Sequence, residues 1–238
     1  MKIHSIGNSF SQDATRYLHR MAADNGIDLK TVNLYIGGCS LKTHYYNILD
    51  DAKKYLMEFN GFSTGFYVSI KEALMSDEWD YVTVQQASHL SYKPESYQPY
   101  LNELAAYIKK YCPHTKILVH QTWAYEDGSE RLTNHGYATG ADMFQDIEKA
   151  YQQAAQDIQA AGLIPCGKVL QTCLAEGMET AHRDTFHASL GAGRYALALT
   201  WLCYLIGVKP EDVVFTQFEA PTTEEEIRIV KKAVANIV

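Results

Sequence analysis

Three side chains at opposite ends of the sequence could together cleave an acyl bond. Ser9 lies in Gly7-Asn8-Ser9-Phe10-Ser11, where an apolar run breaks off, and Asp184 and His187 lie three residues apart in "HRDTFHASLGAGRY". A hydrolytic serine needs a base to take its proton, a carboxylate to orient that base, and donors aimed at the developing oxyanion. Ser9 could supply the nucleophile, His187 the base and Asp184 the orienting carboxylate. The same stretch also reads as a helix start, because Asn and Ser satisfy free N–H groups there, and Ser11 is the ordinary cap candidate.

The elements that must position these residues follow from periodicity. Strands are expected at "KIHSI" (2–6), "KTVNLYI" (30–36), "DYVTVQQ" (80–86), "TKILVHQTW" (115–123) and "LIPCGKVL" (163–170). Helical patterns alternate with them: residues 12–26, the stretch from Leu41 through residue 59, a short segment around "SIKEALMS", residues 96–112, residues 141–162, and a long helix from near Ser189. This order predicts one α/β domain over residues 1–238, three layers around a parallel, flavodoxin-like sheet of about five strands. Ligands bind such sheets at the carboxyl ends of the strands, near a switch in strand order.

Polar residues follow each strand. After the first comes Ser9, after the second Gly37-Gly38-Cys39-Ser40, after the third Gln85-Gln86-Ala87-Ser88-His89, and after the fourth Gln121-Thr122-Trp123. The backbone N–H groups of Ser9 and Gly38 could receive an oxyanion, although Gly37-Gly38 also reads as a turn needing positive φ. Asn8 could shape the turn or touch substrate. The long polar loop at 124–140 is of a kind often used for function, and Trp123, Tyr125 and His135 on or beside it would suit stacking against a sugar. Their ordinary alternative is packing. His89 and His135 are candidate substrate contacts, whereas His4 and His120 fall inside strands and are expected to be packed.

With these residues in place, "GNSFS" and "DTFH" together resemble the SGNH, or GDSL-like, hydrolase superfamily. There a serine ends the first strand and a D-x-x-H motif precedes the last helix. More narrowly, the chain is similar to a bacterial branch that opens with G-N-S-F-[ST] and carries Q-x-x-S after the third strand. The resemblance implies a serine esterase acting on small acyl esters, including O-acetyl groups on carbohydrate, with Ser9, Asp184 and His187 catalytic and Gly38 in the oxyanion hole. It departs at one place. Where the superfamily has G-x-N-D, this chain has Gln86-Ala87-Ser88-His89, so the third oxyanion donor is expected from Gln85, Gln86 or Ser88. That departure motivates the rival expectation, a carbohydrate- or ligand-binding domain that keeps the fold without turnover.

Composition narrows the partners. The chain has 238 residues, 47% of them hydrophobic, and a net charge of −7 without a basic block. That balance argues against nucleic acid or an anionic membrane as partner and leaves the oligomeric state open. No apolar run reaches the roughly 20 residues needed to cross a bilayer. Without a signal-like segment before the first strand, a cytoplasmic location is expected. Five dispersed cysteines suit reduced, buried thiols, and Cys39 in particular reads as one of these. Nine histidines lack H-x-x-x-H or H-E-x-x-H spacing, so neither a metal nor a cofactor is expected.

Overall fold

The computed structural model describes residues 1–179 and 181–238. Its centre is a seven-stranded sheet in the order β4-β3-β2-β1-β5-β6-β7. Five of the strands run parallel: β1 (Lys2–Gly7), β2 (Lys30–Tyr35), β5 (Tyr81–Val84), β6 (Lys116–His120) and β7 (Gly162–Ile164). The expected count of about five is corrected by an antiparallel hairpin, β3 (Tyr55–Phe59) and β4 (Phe62–Val68), which extends the sheet beyond β2.

Helices cover both faces. On one side lie α1 (Ser9–Thr15), α2 (Leu18–Asp24), α8 (Cys166–Ala175), α9 (Ala192–Ile206) and α10 (Glu224–Ile237). On the other lie α3 (Leu41–Leu49), α4 (Ile70–Leu74), α5 (Tyr100–Tyr111) and α7 (Gly140–Asp157). Strand alternation builds both cores from one strand: in β1, Ile3 joins the α9 side and Ile6 the α3–α5 side. No helix among the described residues is long and apolar enough to cross a membrane. The apolar stretch ending at Ile206 is instead α9, the central helix of its layer, closed by Gly207 in the left-handed conformation.

Three expected elements are redrawn. The pattern from Leu41 to residue 59 holds a helix only as far as Leu49 and then becomes β3. Residues 12–26 form two helices broken at Arg16-Tyr17, where the hairpin turn seats Gly61 against the Thr15 and Arg16 carbonyls. In "LIPCGKVL" only the first residues are strand. Pro165 ends β7, since it cannot donate to a ladder, and Cys166 opens α8.

Chain order now decides where a site can form. From β1 the chain moves outward to β2 and its hairpin, then returns to β5 on the other side of β1. The carboxyl end of β1 is therefore the switch point, and Ser9 stands immediately beyond it.

Candidate active site

Gly7 and Asn8 make the sharp exit from β1. A Cβ on Gly7 would collide with the Ser11 side chain, so only glycine fits there. Asn8 is the true N-cap of α1. Its Oδ1 accepts the Phe10 N–H (2.9 Å), and the Ser11 hydroxyl accepts the Asn8 N–H (3.1 Å) in a reciprocal box. Ser11 thus shares in the cap without being its first residue. Ser9 is left as the opening residue of α1, its N–H without a protein acceptor among the described residues, as expected in a first helical turn.

The partner loop is equally constrained. Asp184-Thr185-Phe186-His187 makes a tight reversal, with Arg183 N–H donating to the His187 carbonyl (3.0 Å) and Thr185 at φ +70°. A β-branched residue in that region is strained. It is held there by the Glu126 N–H, which donates to the Thr185 carbonyl (2.8 Å), and by Trp123 Nε1, which donates to the Phe186 carbonyl (2.8 Å). Arg183 anchors the loop to α1 through Asp13, a fully buried carboxylate also bound by Arg194 (2.8 Å).

These two constructions bring the ends of the chain together. His187 Nε2 lies 2.8 Å from Ser9 Oγ, and His187 Nδ1 lies 2.8 Å from Asp184 Oδ2. The second Asp184 oxygen accepts the His187 backbone N–H (2.9 Å). A carboxylate facing Nδ1 fixes the proton on that nitrogen, which leaves Nε2 free to accept from the Ser9 hydroxyl. Partial burial works to raise the Asp184 pKa, but hydrogen bonds from His187 and the nearby Arg183 charge outweigh it, so its carboxyl sits below the ordinary carboxylate range.

A cavity of about 420 Å³ opens over this triad. Its lining includes Ser9, Gly38, Ser88, His89, Tyr125, Arg131, Arg183 and Phe186. Gly38 adopts φ +64°, a conformation that costs glycine little, and its exposed N–H has no protein acceptor among the described residues.

The three candidates for the third donor separate cleanly. Gln85 is buried, its Nε2 donating to Asn8 Oδ1 (2.8 Å) and its Oε1 facing His120 Nδ1 (2.8 Å). Gln86 is fully buried, its Oε1 accepting the Leu41 and Ala87 N–H groups and its Nε2 donating to Ser96. Both amides are thus spent on framework contacts, and neither lines the cavity. Ser88 does line it. Tyr125 O–H donates to Ser88 Oγ (3.1 Å), which leaves the Ser88 proton available to another acceptor.

Two expected substrate contacts, Trp123 and His135, are corrected, since neither lines the cavity. Asn8 borders the cavity, but its side chain is committed to Phe10, Gln85 and the Cys39 carbonyl (3.0 Å). Trp123 is buried behind the site, stacked on Phe10 at 4.2 Å. His135 lies outside the lining, packed edge-on against Tyr125 with Nδ1 on the Arg131 carbonyl. His89 and Tyr125 do reach the cavity. Cys39 is buried and its thiol is pushed up to about 12 by burial, so it carries no nucleophilic thiolate at neutral pH. Arg131, Arg183 and Phe186 line the cavity without having been singled out. Arg131 stands on α6 (Glu130–Asn134), a short helix within the expected loop, and its capping serine at 129 was the available signal. A larger depression of about 800 Å³ lies at the opposite ends of β1, β5 and β6, remote from the triad.

Comparison with known proteins agrees with this architecture. Residues 2–236 match the family model described as "Domain of unknown function (DUF4886)". A DUF4886 family protein from Bacteroides uniformis is 32% identical, with a TM-score of 0.91 over 99% of this chain and 93% of that one. A proposed SGNH hydrolase from Slackia heliotrinireducens gives a TM-score of 0.61 at 22% identity, covering 84% of this chain and 96% of its own. The acetylxylan esterase Axe2 from Geobacillus stearothermophilus gives 0.53 at 14% identity, covering 84% and 92%. Among curated proteins none matches this chain. The chain belongs to the DUF4886 family, and it carries that domain on the fold of the SGNH hydrolases.

Proposed function

We propose that the protein is a serine esterase that hydrolyses small acyl esters, O-acetyl groups on carbohydrate among them. The observation that carries this reading is the continuous chain Ser9 Oγ–His187–Asp184, with 2.8 Å at each link and a cavity above the hydroxyl. In the first step Ser9 Oγ bonds to the ester carbonyl carbon while its proton passes to His187 Nε2. Asp184 stabilises the imidazolium, and the N–H groups of Ser9 and Gly38 receive the carbonyl oxygen as it becomes an oxyanion. Collapse expels the alcohol, protonated by His187, and leaves an acyl-Ser9 ester. Water activated by the same histidine then releases the acid. Fold neighbours that include an acetylxylan esterase, together with the modest cavity, favour a short acyl group and a sugar alcohol.

Two results test this. Folded wild-type protein is expected to hydrolyse p-nitrophenyl acetate and to react covalently with a fluorophosphonate at Ser9, as read by peptide mass. If it shows neither turnover nor adduct, the domain is a binding module instead.

Ser88 takes the place of the third donor in this scheme, its hydroxyl oriented by Tyr125. Losing a single oxyanion donor costs about 10² to 10³ in kcat where the donor is a fixed amide, and a rotating hydroxyl should cost less than that. Ser88→Ala is therefore expected to lower kcat by roughly 10- to 100-fold with KM little changed. An unchanged kcat would leave the oxyanion to Ser9 and Gly38 alone.

A further inference from the structure

The lining of the cavity has an unusual charge balance for an acidic protein. The whole chain carries −7, yet the residues that line the cavity include two arginines, Arg131 and Arg183, and no aspartate or glutamate. The two arginines are not equivalent. Arg183 is neutralised by Asp13 at 2.9 Å and lies 4.0 Å from Asp184. Arg131 is exposed and has no carboxylate partner among the described residues.

Arg131 is nonetheless held in place. Its guanidinium lies over the Phe186 ring at 3.9 Å and near the Tyr125 ring at 5.6 Å, and Phe186 in turn packs on the His187 ring at 3.8 Å. Stacking of this kind fixes the plane of a guanidinium; one Arg131 N–H also faces the Tyr125 hydroxyl, and the guanidinium keeps further N–H groups for a ligand. Lys93 adds to the positive potential near His89, whose own pKa is lowered by burial and by the neighbouring His135 and Lys93 charges. Such a site attracts an anion and offers a planar, two-point match to a carboxylate.

On the esterase reading, the side of the cavity matters. Arg131 stacks above the ring that backs His187, and His187 Nε2 is the group that protonates the leaving oxygen. We infer that the alcohol portion of the substrate carries a carboxylate, and that Arg131 is the residue that selects it. The substrate class is then an acyl ester of an acidic alcohol, such as an acetylated acidic sugar.

The test follows acetate release from 4-acetoxybenzoate and from its methyl ester, in which the carboxylate is masked as a neutral ester. Wild type is expected to favour the carboxylate in kcat/KM, relative to the two rates in hydroxide, and to lose that preference as salt is raised. Arg131→Ala should reduce the carboxylate-to-methyl-ester ratio about tenfold, the scale of a hydrogen bond to a charged group, and Arg131→Lys should restore part of it. A ratio that is the same in wild type and Arg131→Ala overturns the inference. If wild type hydrolyses neither ester, the esterase reading fails on its own, and calorimetric binding of 4-hydroxybenzoate decides the anion site. Weaker binding by Arg131→Ala upholds that site, and equal binding removes it.

Discussion

Ser9→Ala is expected to lower kcat for p-nitrophenyl acetate by about 10⁴- to 10⁶-fold, the range seen when a serine nucleophile is removed from an intact triad. The fold should not change with it. The Ser9 side chain bonds His187, while the cap of α1 belongs to Asn8 and Ser11, so thermal stability and KM stay near wild type. Among the described residues, neither Ser11 nor Ser88 is hydrogen-bonded to His187 as Ser9 is. Ser11 Oγ is buried and bonded to the Asn8 backbone, and Ser88 Oγ accepts from Tyr125. Asp184→Asn provides the control for mechanism. It keeps the bulk of the side chain but can no longer hold the proton on His187 Nδ1, and kcat should fall by about 10⁴. Retention of more than about a tenth of the activity in Ser9→Ala would remove Ser9 from the chemistry.

How much of this could be read from the residues depends on whether the signal was local. The parallel strands β1, β2, β5 and β6 are short β-branched or apolar runs, and their order placed polar residues at the correct end of the sheet. The hairpin was missed although its signal was present. Lys53-Lys54 and Leu56-Met57-Glu58 favour a helix, but Asn60-Gly61 is a two-residue turn, and both residues adopt positive φ (50° and 85°). Pairing of β3 with β2 overrides the helical propensity of its residues.

The candidate site divides along the same line. Ser9, Asp184 and His187 could be named because their types and order carry chemistry. The third donor could not, because Gln85, Gln86 and Ser88 differ only in which way each side chain turns. Gln85 is claimed by Asn8 and His120, contacts that join the ends of β1, β5 and β6 and exist only once the strands are adjacent. Arg131 was overlooked for a similar reason. A single arginine in a polar loop has no pattern until Phe186, more than fifty residues later, supplies the ring beneath it.

Buried histidines give the second large effect, on stability toward acid. His4, His44 and His120 are each fully buried, and loss of solvation lowers each pKa to about 3 from the usual 6.5. In the unfolded chain all three bind a proton as pH falls through about 6.5, whereas in the folded protein they stay neutral down to about 3. The unfolded state therefore takes up more protons across that window, and stability falls as pH decreases through it. The slope approaches about 1.4 kcal/mol per pH unit for each histidine once pH is well below 6.5. Three such groups remove on the order of 4 kcal/mol between pH 7 and 5.5, a large part of the roughly 5–15 kcal/mol typical of a folded protein. His182, also lowered by burial, acts in the same direction, and Glu58, raised by burial, in the opposite one. Urea unfolding at a series of pH values should show the midpoint dropping steadily below pH 6.5, with the imidazole resonances of the three rings remaining in their neutral positions until the protein unfolds. A midpoint that is flat from pH 7 to 5.5, or buried rings that titrate near 6.5 in the folded protein, would rule this account out. His120 makes the result bear on the site as well, since its neutral Nδ1–H is what donates to Gln85 Oε1 and so helps hold Asn8 beneath Ser9.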